Sequence, residues 1–488
     1  MTADHTGQPD SLADLVATGG TVLTFDGRNR CAAGLATRAG RIVAVGSAAE
    51  MERHIGPHTH VIDLAGRTVV PGINDSHLHA TWLGAMWPRT LLTSGESMQP
   101  PPAVRLRDAA ERRAAILRAG ELCAALGITS YTEPGLGPGE DGGETGCFSQ
   151  AVLDDYAALA ATGMLRARVT VLRLFGLLDG PSTLDDFERG MGLPAPVADP
   201  AWLNVTGVKI FADGIPPMGT AWTAHGCASS GHGADGGTGH GADGGTGHGA
   251  DGATGHGADG GTGHGGLLVD GRDDDERERR FRRMVELAHA AGWQIGVHAT
   301  GDRSIEVFVD AVADTVRRHG RRARHYVIHG DLAAPGQLAR MGELGIGLCA
   351  QPGIATATAE LVAAALGDDV AAAAWPLARA LKAGVTLTLS SDAPVLGPDW
   401  RQHVAAAAEW MGSSGTQPEL TARLLRCYTT EAAVQDGAEA WKGSLEAGKV
   451  ADFCVLAENP LTVPPAELPD VAVDTTVVAG QPVFTRAQ

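Results

Sequence analysis

The chain is short of cysteine pairs: its seven cysteines, scattered from Cys31 to Cys454, are odd in number and never spaced Cys-x-x-Cys. That excludes a disulfide framework and a cysteine-type zinc module, and it suits reduced thiols in a cytoplasm. Basic charge is also in deficit, with 38 Lys and Arg against 57 Asp and Glu and a net charge of -19. Such a balance repels phosphate backbones and anionic bilayers. Nucleic acid and membrane are therefore not expected partners, which leaves a small molecule and a second copy of the chain. No apolar run approaches the roughly 18 to 20 residues of a membrane span. The opening "MTADHTGQPDSLADL" lacks the basic start and apolar core of a signal peptide.

What is present reads as a globular protein, 44% hydrophobic and 19% charged. At 488 residues it exceeds the usual single core, so a large domain with a satellite is expected. Both ends carry short β-like runs broken by glycine, such as "GLATRAGRIVAVG" near the start and "GKVADFCVL" near the finish. Residues 1–70 and 443–488 are expected to meet as one small β-sandwich, flanking a different middle at 71–442.

That middle alternates β-branched runs with alanine-rich helical stretches. The runs are "VVPGIND", "ITSYTEPG", "RARVTVLRLFG", "NVTGVKIFADG", "WQIGVHATGD", "RHYVIHGD", "GIGLCAQPG" and "VTLTLSSDAP". Eight strand–helix units predict an α/β fold, a (β/α)8 TIM barrel. A doubly wound open sheet is the alternative, but no Gly-x-Gly-x-x-Gly opens a helix after the first strand. Residues 231–266 fit neither pattern. They repeat "GHGADGGT" and cannot bury apolar surface, so they form an insertion without a core. Its histidines, His232, His240, His248, His256 and His264, either hold metal loosely or belong to a neutral low-complexity expansion.

In a barrel, chemistry sits at the C-terminal ends of the strands. The first strand ends in "SHLH", and two histidines one residue apart point to the same face. His77 and His79 are thus half of a metal site or an ordinary polar strand edge. Other strands end near Glu133, Lys209, His298, His329 and Asp392. Singly, each has a plain structural reading: a satisfied core histidine, a lysine turned to solvent, an aspartate capping a turn. Together they supply ligands for two divalent ions, with imidazole suited to zinc. Lys209 joins such a set only if carbon dioxide adds to its amine as a carbamate, which an apolar flank favours by lowering the amine's pKa.

In "PGINDSHLH", "VKIFADG", "VHATGD", "VIHGD", "SSDAPV" and "GSLEAGKVADFCVL" the chain resembles the amidohydrolase superfamily, in the metal-dependent hydrolase branch that includes N-substituted formamide deformylase. The resemblance implies that His77 and His79 bind a buried Zn2+ and that His298 and His329 bind a more exposed one. It implies that carbamylated Lys209 bridges the two, and that Asp392 ligates the first and serves as general acid/base. It further implies cleavage of an amide or related C–N bond by a metal-activated hydroxide; the same scaffold also supports lactone or ester hydrolysis and decarboxylation, and a binding protein without catalysis is the remaining alternative. Ile328 stands where the branch often has an acid, and Gly214 is followed by Ile215 and two prolines where it often has serine. Glu133 is read as a ligand competing with Lys209, a group orienting a substrate amine, or a hydrogen-bond acceptor behind the ligands. Asp302 is expected to orient His298 or tie down its loop, and Trp82 to wall an apolar pocket or pack a helix.

Overall fold

A computed structural model describes residues 12–92, 104–224, 265–412 and 415–487. The repeat insertion, but for its last two residues, lies outside these, as does Cys227. Eight parallel strands follow one another in sequence order: Ile73–Asp75, Ile128–Leu136, Arg168–Leu174, Leu203–Phe211, Gln294–Ala299, Tyr326–His329, Gly347–Ala350 and Leu387–Leu389. A helix falls in each of the seven connections, from Ala109–Ala125 in the first to Pro352–Leu366 in the last. This is the expected (β/α)8 barrel. Its second and third strands are buried at every position, as parallel strands covered on both faces must be.

Most of the apolar core lies between strands and helices. A smaller cluster, Leu172, Tyr326, Ile328 and Cys349, fills the barrel itself. Leu172 fits because its neighbours are glycines: a Cβ on Gly207 would stand 2.3 Å from its Cδ2, and one on Gly296 would stand 2.6 Å from its Cδ1. The result is an apolar floor two residues below Lys209 on the fourth strand and His298 on the fifth. Ile328 is part of it.

Strands from both ends of the chain form a second, eight-stranded sheet. The ends join where Phe453–Leu456 pairs antiparallel with Thr68–Pro71, and the latter continues through Gly72 into the first barrel strand. Arg168, at the start of the third barrel strand, ties barrel to sheet with two bonds to the Asp452 carboxylate, at 2.6 and 3.0 Å.

On the N-terminal side of the barrel lies a buried pair of imidazoles. His289 Nε2 donates to the Gly320 carbonyl at 2.8 Å, and Ile295 N donates to His325 Nδ1 at 3.1 Å. The 2.8 Å bond between the rings is therefore donated by His325 Nε2 to His289 Nδ1. Every ring nitrogen is satisfied only while both rings are neutral. Burial, and then His289, push His325 down to about 3. The unfolded chain takes up a proton near pH 6.5 and the folded one only near 3, so stability is full above about 6.5 and falls as the pH drops through that window. At pH 4.5 the loss should be about 2–3 kcal/mol. The His325→Gln variant keeps a donor and an acceptor but does not titrate. Urea unfolding from pH 8 to 4.5 should therefore show the parent losing that much more stability than the variant, whereas parallel profiles would remove this role from His325.

Candidate metal centre

The barrel's hydrogen-bonded ladder runs from the first strand to the eighth and is closed by side chains and loop backbone. Buried Asp75 accepts from Ser391 Oγ at 2.6 Å and from the backbone N–H groups of Ser391 and His77, both at 3.2 Å. Just above, Asp392 N donates to the His77 carbonyl and His79 N to the Ala393 carbonyl, both at 2.9 Å. The seam sets the geometry of the first half of the site. Asp392 Oδ1 lies 3.2 Å from His77 Nε2 and 3.4 Å from His79 Nε2.

His298 and His329 form the second half, their ring centroids 4.5 Å apart, and His329 lies 5.7 Å from His77. Each is held through one nitrogen. His298 Nε2 donates to the Gly214 carbonyl at 3.1 Å, and His329 Nδ1 donates to Gln351 Oε1 at 2.8 Å. Gln351 is itself fixed by donating to Ser390 Oγ at 2.8 Å. Strand alternation would send His329 outward, because Ile328 points into the floor. A φ of +72° turns it back, and Asp392 likewise stands at +56°. Left-handed backbone at a side chain other than glycine costs on the order of 1–3 kcal/mol and gathers at functional sites.

Lys209 Nζ lies 4.5 Å above the Phe211 ring, with no carboxylate in ion-pair reach among the described residues. Its charge bears on all four imidazoles and on Asp392, so it sits among them. Burial lowers its amine to about 8, against the pull of Asp392 and Asp179. Burial also holds the histidines neutral, with His79 and His298 pushed down to about 3 and His77 and His329 well below the usual imidazole range. Asp392 is pushed up to about 6, again chiefly by burial.

The set fits a metal. Ligand atoms of His77, His329 and Asp392 lie within 4.8 Å of one another, and His79 Nε2 faces the same Asp392 oxygen. Neutral imidazole and carboxylate are donors suited to zinc.

The remaining sequence candidates lie around this group. Glu133 is fully buried behind His79, its Oε2 accepting from Thr81 N and Tyr156 Oη, both at 3.1 Å. Its Oε1 stands 3.8 Å from His79 Nδ1, and both atoms lack a hydrogen bond among the described residues. Burial pushes Glu133 up to about 8. Trp82 packs edge-on against His79 and Phe148. Asp302 opens the helix Asp302–His319, and its Oδ1 accepts from Ala224 N at 2.8 Å, which ties down the loop after the fourth strand; His298 is oriented by Gly214 instead. Asp213, two residues beyond the fourth strand, accepts from the backbone N–H groups of Trp222, Thr300 and Gly301 and from Ser304 Oγ, and so holds the Gly214 carbonyl in place. Gln351 went unnoticed because "CAQPG" carries no pattern that marks it.

Removing the partner of a metal-binding imidazole commonly costs 10- to 100-fold in affinity. For Gln351→Leu, competition with a chromophoric chelator should show zinc affinity down by about that factor. An unchanged affinity would take Gln351 out of the site.

The chain matches the Amidohydrolase family over residues 96–484. N-substituted formamide deformylase of Arthrobacter pascens is 25% identical over 570 residues, covering 96% of this chain and 98% of that protein. The protein LONG AFTER FAR-RED 3 of Arabidopsis thaliana is 25% identical over 524 residues, covering 92% and 88%. Among solved structures, an uncharacterised metal-dependent hydrolase of Pyrococcus horikoshii superposes with a TM-score of 0.67 at 18% identity, covering 92% of this chain and 99% of that one. A family match that spans seven of the eight barrel strands and the closing strands of the terminal sheet carries the assignment: the chain belongs to the amidohydrolase family.

Proposed function

We propose that this amidohydrolase is a metal-dependent enzyme that hydrolyses an amide or related C–N bond of a small organic molecule in the cytoplasm. The observation that carries the reading is the convergence of four imidazoles, kept neutral by burial, on Asp392 and around Lys209. In this reading His77, His79 and Asp392 hold one divalent cation, His298 and His329 hold a second, and Lys209 bridges them as a carbamate. Zn2+ is the first candidate for both.

When bound, the cations supply Lewis acidity for activating water and polarising the scissile carbonyl. The residues do the rest. Asp392, as a carboxylate, takes a proton from the attacking water and returns it to the departing nitrogen, so acid and amine leave and the enzyme is unchanged. Burial leaves a share of the Lys209 amine neutral near pH 8, the form that combines with carbon dioxide. Trp82 and Phe148 close the side of the site beside His79 with apolar surface. The Arthrobacter relative acts, by its name, on N-substituted formamides, so small N-substituted amides are the first compounds to test.

Elemental analysis after dialysis against a weak chelator, with bicarbonate present, should find about two zinc or similar ions per chain. One ion would remove the Lys209 bridge, and none would remove the metal enzyme. In the same preparation Asp392→Asn should lose about 10²- to 10⁴-fold in amide turnover, the usual worth of a positioned acid/base. A variant that still turns over at the parent rate would reassign the proton transfer to another group.

A further inference from the structure

Two buried polar atoms on the far side of His79 face one another without a bond. His79 Nδ1 and Glu133 Oε1 stand 3.8 Å apart, and neither has a hydrogen-bond partner among the described residues. The backbone sets them there: Leu78 N donates to the Thr132 carbonyl at 2.9 Å, which fixes the end of the first strand against that of the second. The other nitrogen of the ring looks the opposite way, with Nε2 3.4 Å from Asp392 Oδ1. Glu133 therefore lies behind the imidazole and not on the side where a cation would bind.

The rest of the carboxylate is already committed. Oε2 accepts from Thr81 N, in the first turn of the helix Ala80–Met86, and from Tyr156 Oη, which itself lies 3.3 Å from Tyr131 Oη. Capping that helix gives one oxygen a purpose and leaves the other, in a fully buried side chain, without one. A buried acceptor with no donor is costly to keep. The imidazole has the matching need. With a cation on Nε2 its proton is on Nδ1, and a buried N–H requires an acceptor. Glu133 Oε1 is the unpaired acceptor that faces it.

We propose that Glu133 is a positioning residue for the metal centre: it accepts the Nδ1 proton of His79 and so holds Nε2 towards the cation, the 3.8 Å gap closing when the cation binds. The inference rests on the reading of His79 as a ligand, and not on which bond is hydrolysed. Glu133→Gln separates this role from capping. Thr81 N–H can only donate, so the amide oxygen of the variant must take the place of Oε2. Its NH2 group must then face Nδ1, donor against donor. The cap survives, while the tautomer that leaves Nε2 open to a cation is disfavoured.

Zinc affinity is measured by competition with a chromophoric chelator, and stability by urea unfolding of the metal-free proteins. Glu133→Gln should unfold near the parent's midpoint and yet hold one zinc ion about 10- to 100-fold more weakly. A crystal structure of the zinc-loaded parent, which needs no variant, should show Nδ1 and Oε1 at about 2.7–2.9 Å. Unchanged affinity in Glu133→Gln, or a gap still open in the loaded parent, would overturn the inference and leave Glu133 as a helix cap. Glu133 Oε1 found bound to zinc would overturn it too, by making the residue a ligand. A parent in which the gap closes on zinc but no amide is cleaved would instead count against the hydrolase reading and leave the role of Glu133 standing.

Discussion

Around most of the barrel, backbone hydrogen bonds hold one strand to the next, but between the first and eighth strands the Asp75 carboxylate shares that work with loop backbone just above it. It grips the Ser391 hydroxyl and backbone on one side and the His77 N–H on the other. Burial opposes this arrangement, pushing Asp75 up to about 7, and the three donors oppose the push. The register of the seam decides whether the Asp392 oxygen and the two imidazoles of the first strand meet. The eighth strand is only three residues long, Leu387–Leu389, and its ladder partner on the other side is Gly347–Ala350.

The electrostatics of the site have one dominant cause. Burial keeps the four histidines neutral with their lone pairs available, raises Asp392 and lowers Lys209. The apolar floor of Leu172, Tyr326, Ile328 and Cys349 contributes to it, and Ile328 stands where the family pattern often has an acid. An acid there would face that floor. Left-handed backbone at His329 and Asp392 works against stability as well, and the surrounding barrel sustains it.

The eight strands and the polar residues gathered near their ends were legible because each is a local pattern, a β-branched run followed by a polar residue. The meeting of the two chain ends was legible from texture. What holds those polar residues in place was not. Asp75 and Ser391 are 316 residues apart, Asp213 and Ser304 91, and His329 and Gln351 22, so none of these pairs leaves a local trace. Nor does alternation along "YVIH" foretell that His329 turns inward, since a reversal of φ without glycine has no sequence signature. The GHGADGGT repeats lie outside the described residues.

The direct run of Thr68–Pro71 through Gly72 into Ile73–Asp75 has a consequence for how the protein is made. The strand that leads to His77 is bordered by Phe453–Leu456, and the seam above it by Ser391 and Asp392. During synthesis His77 and His79 leave the ribosome more than 300 residues before those neighbours. The half-site they form with Asp392 therefore cannot assemble on the nascent chain until the eighth strand, Leu387–Leu389, and Asp392 just beyond it have emerged.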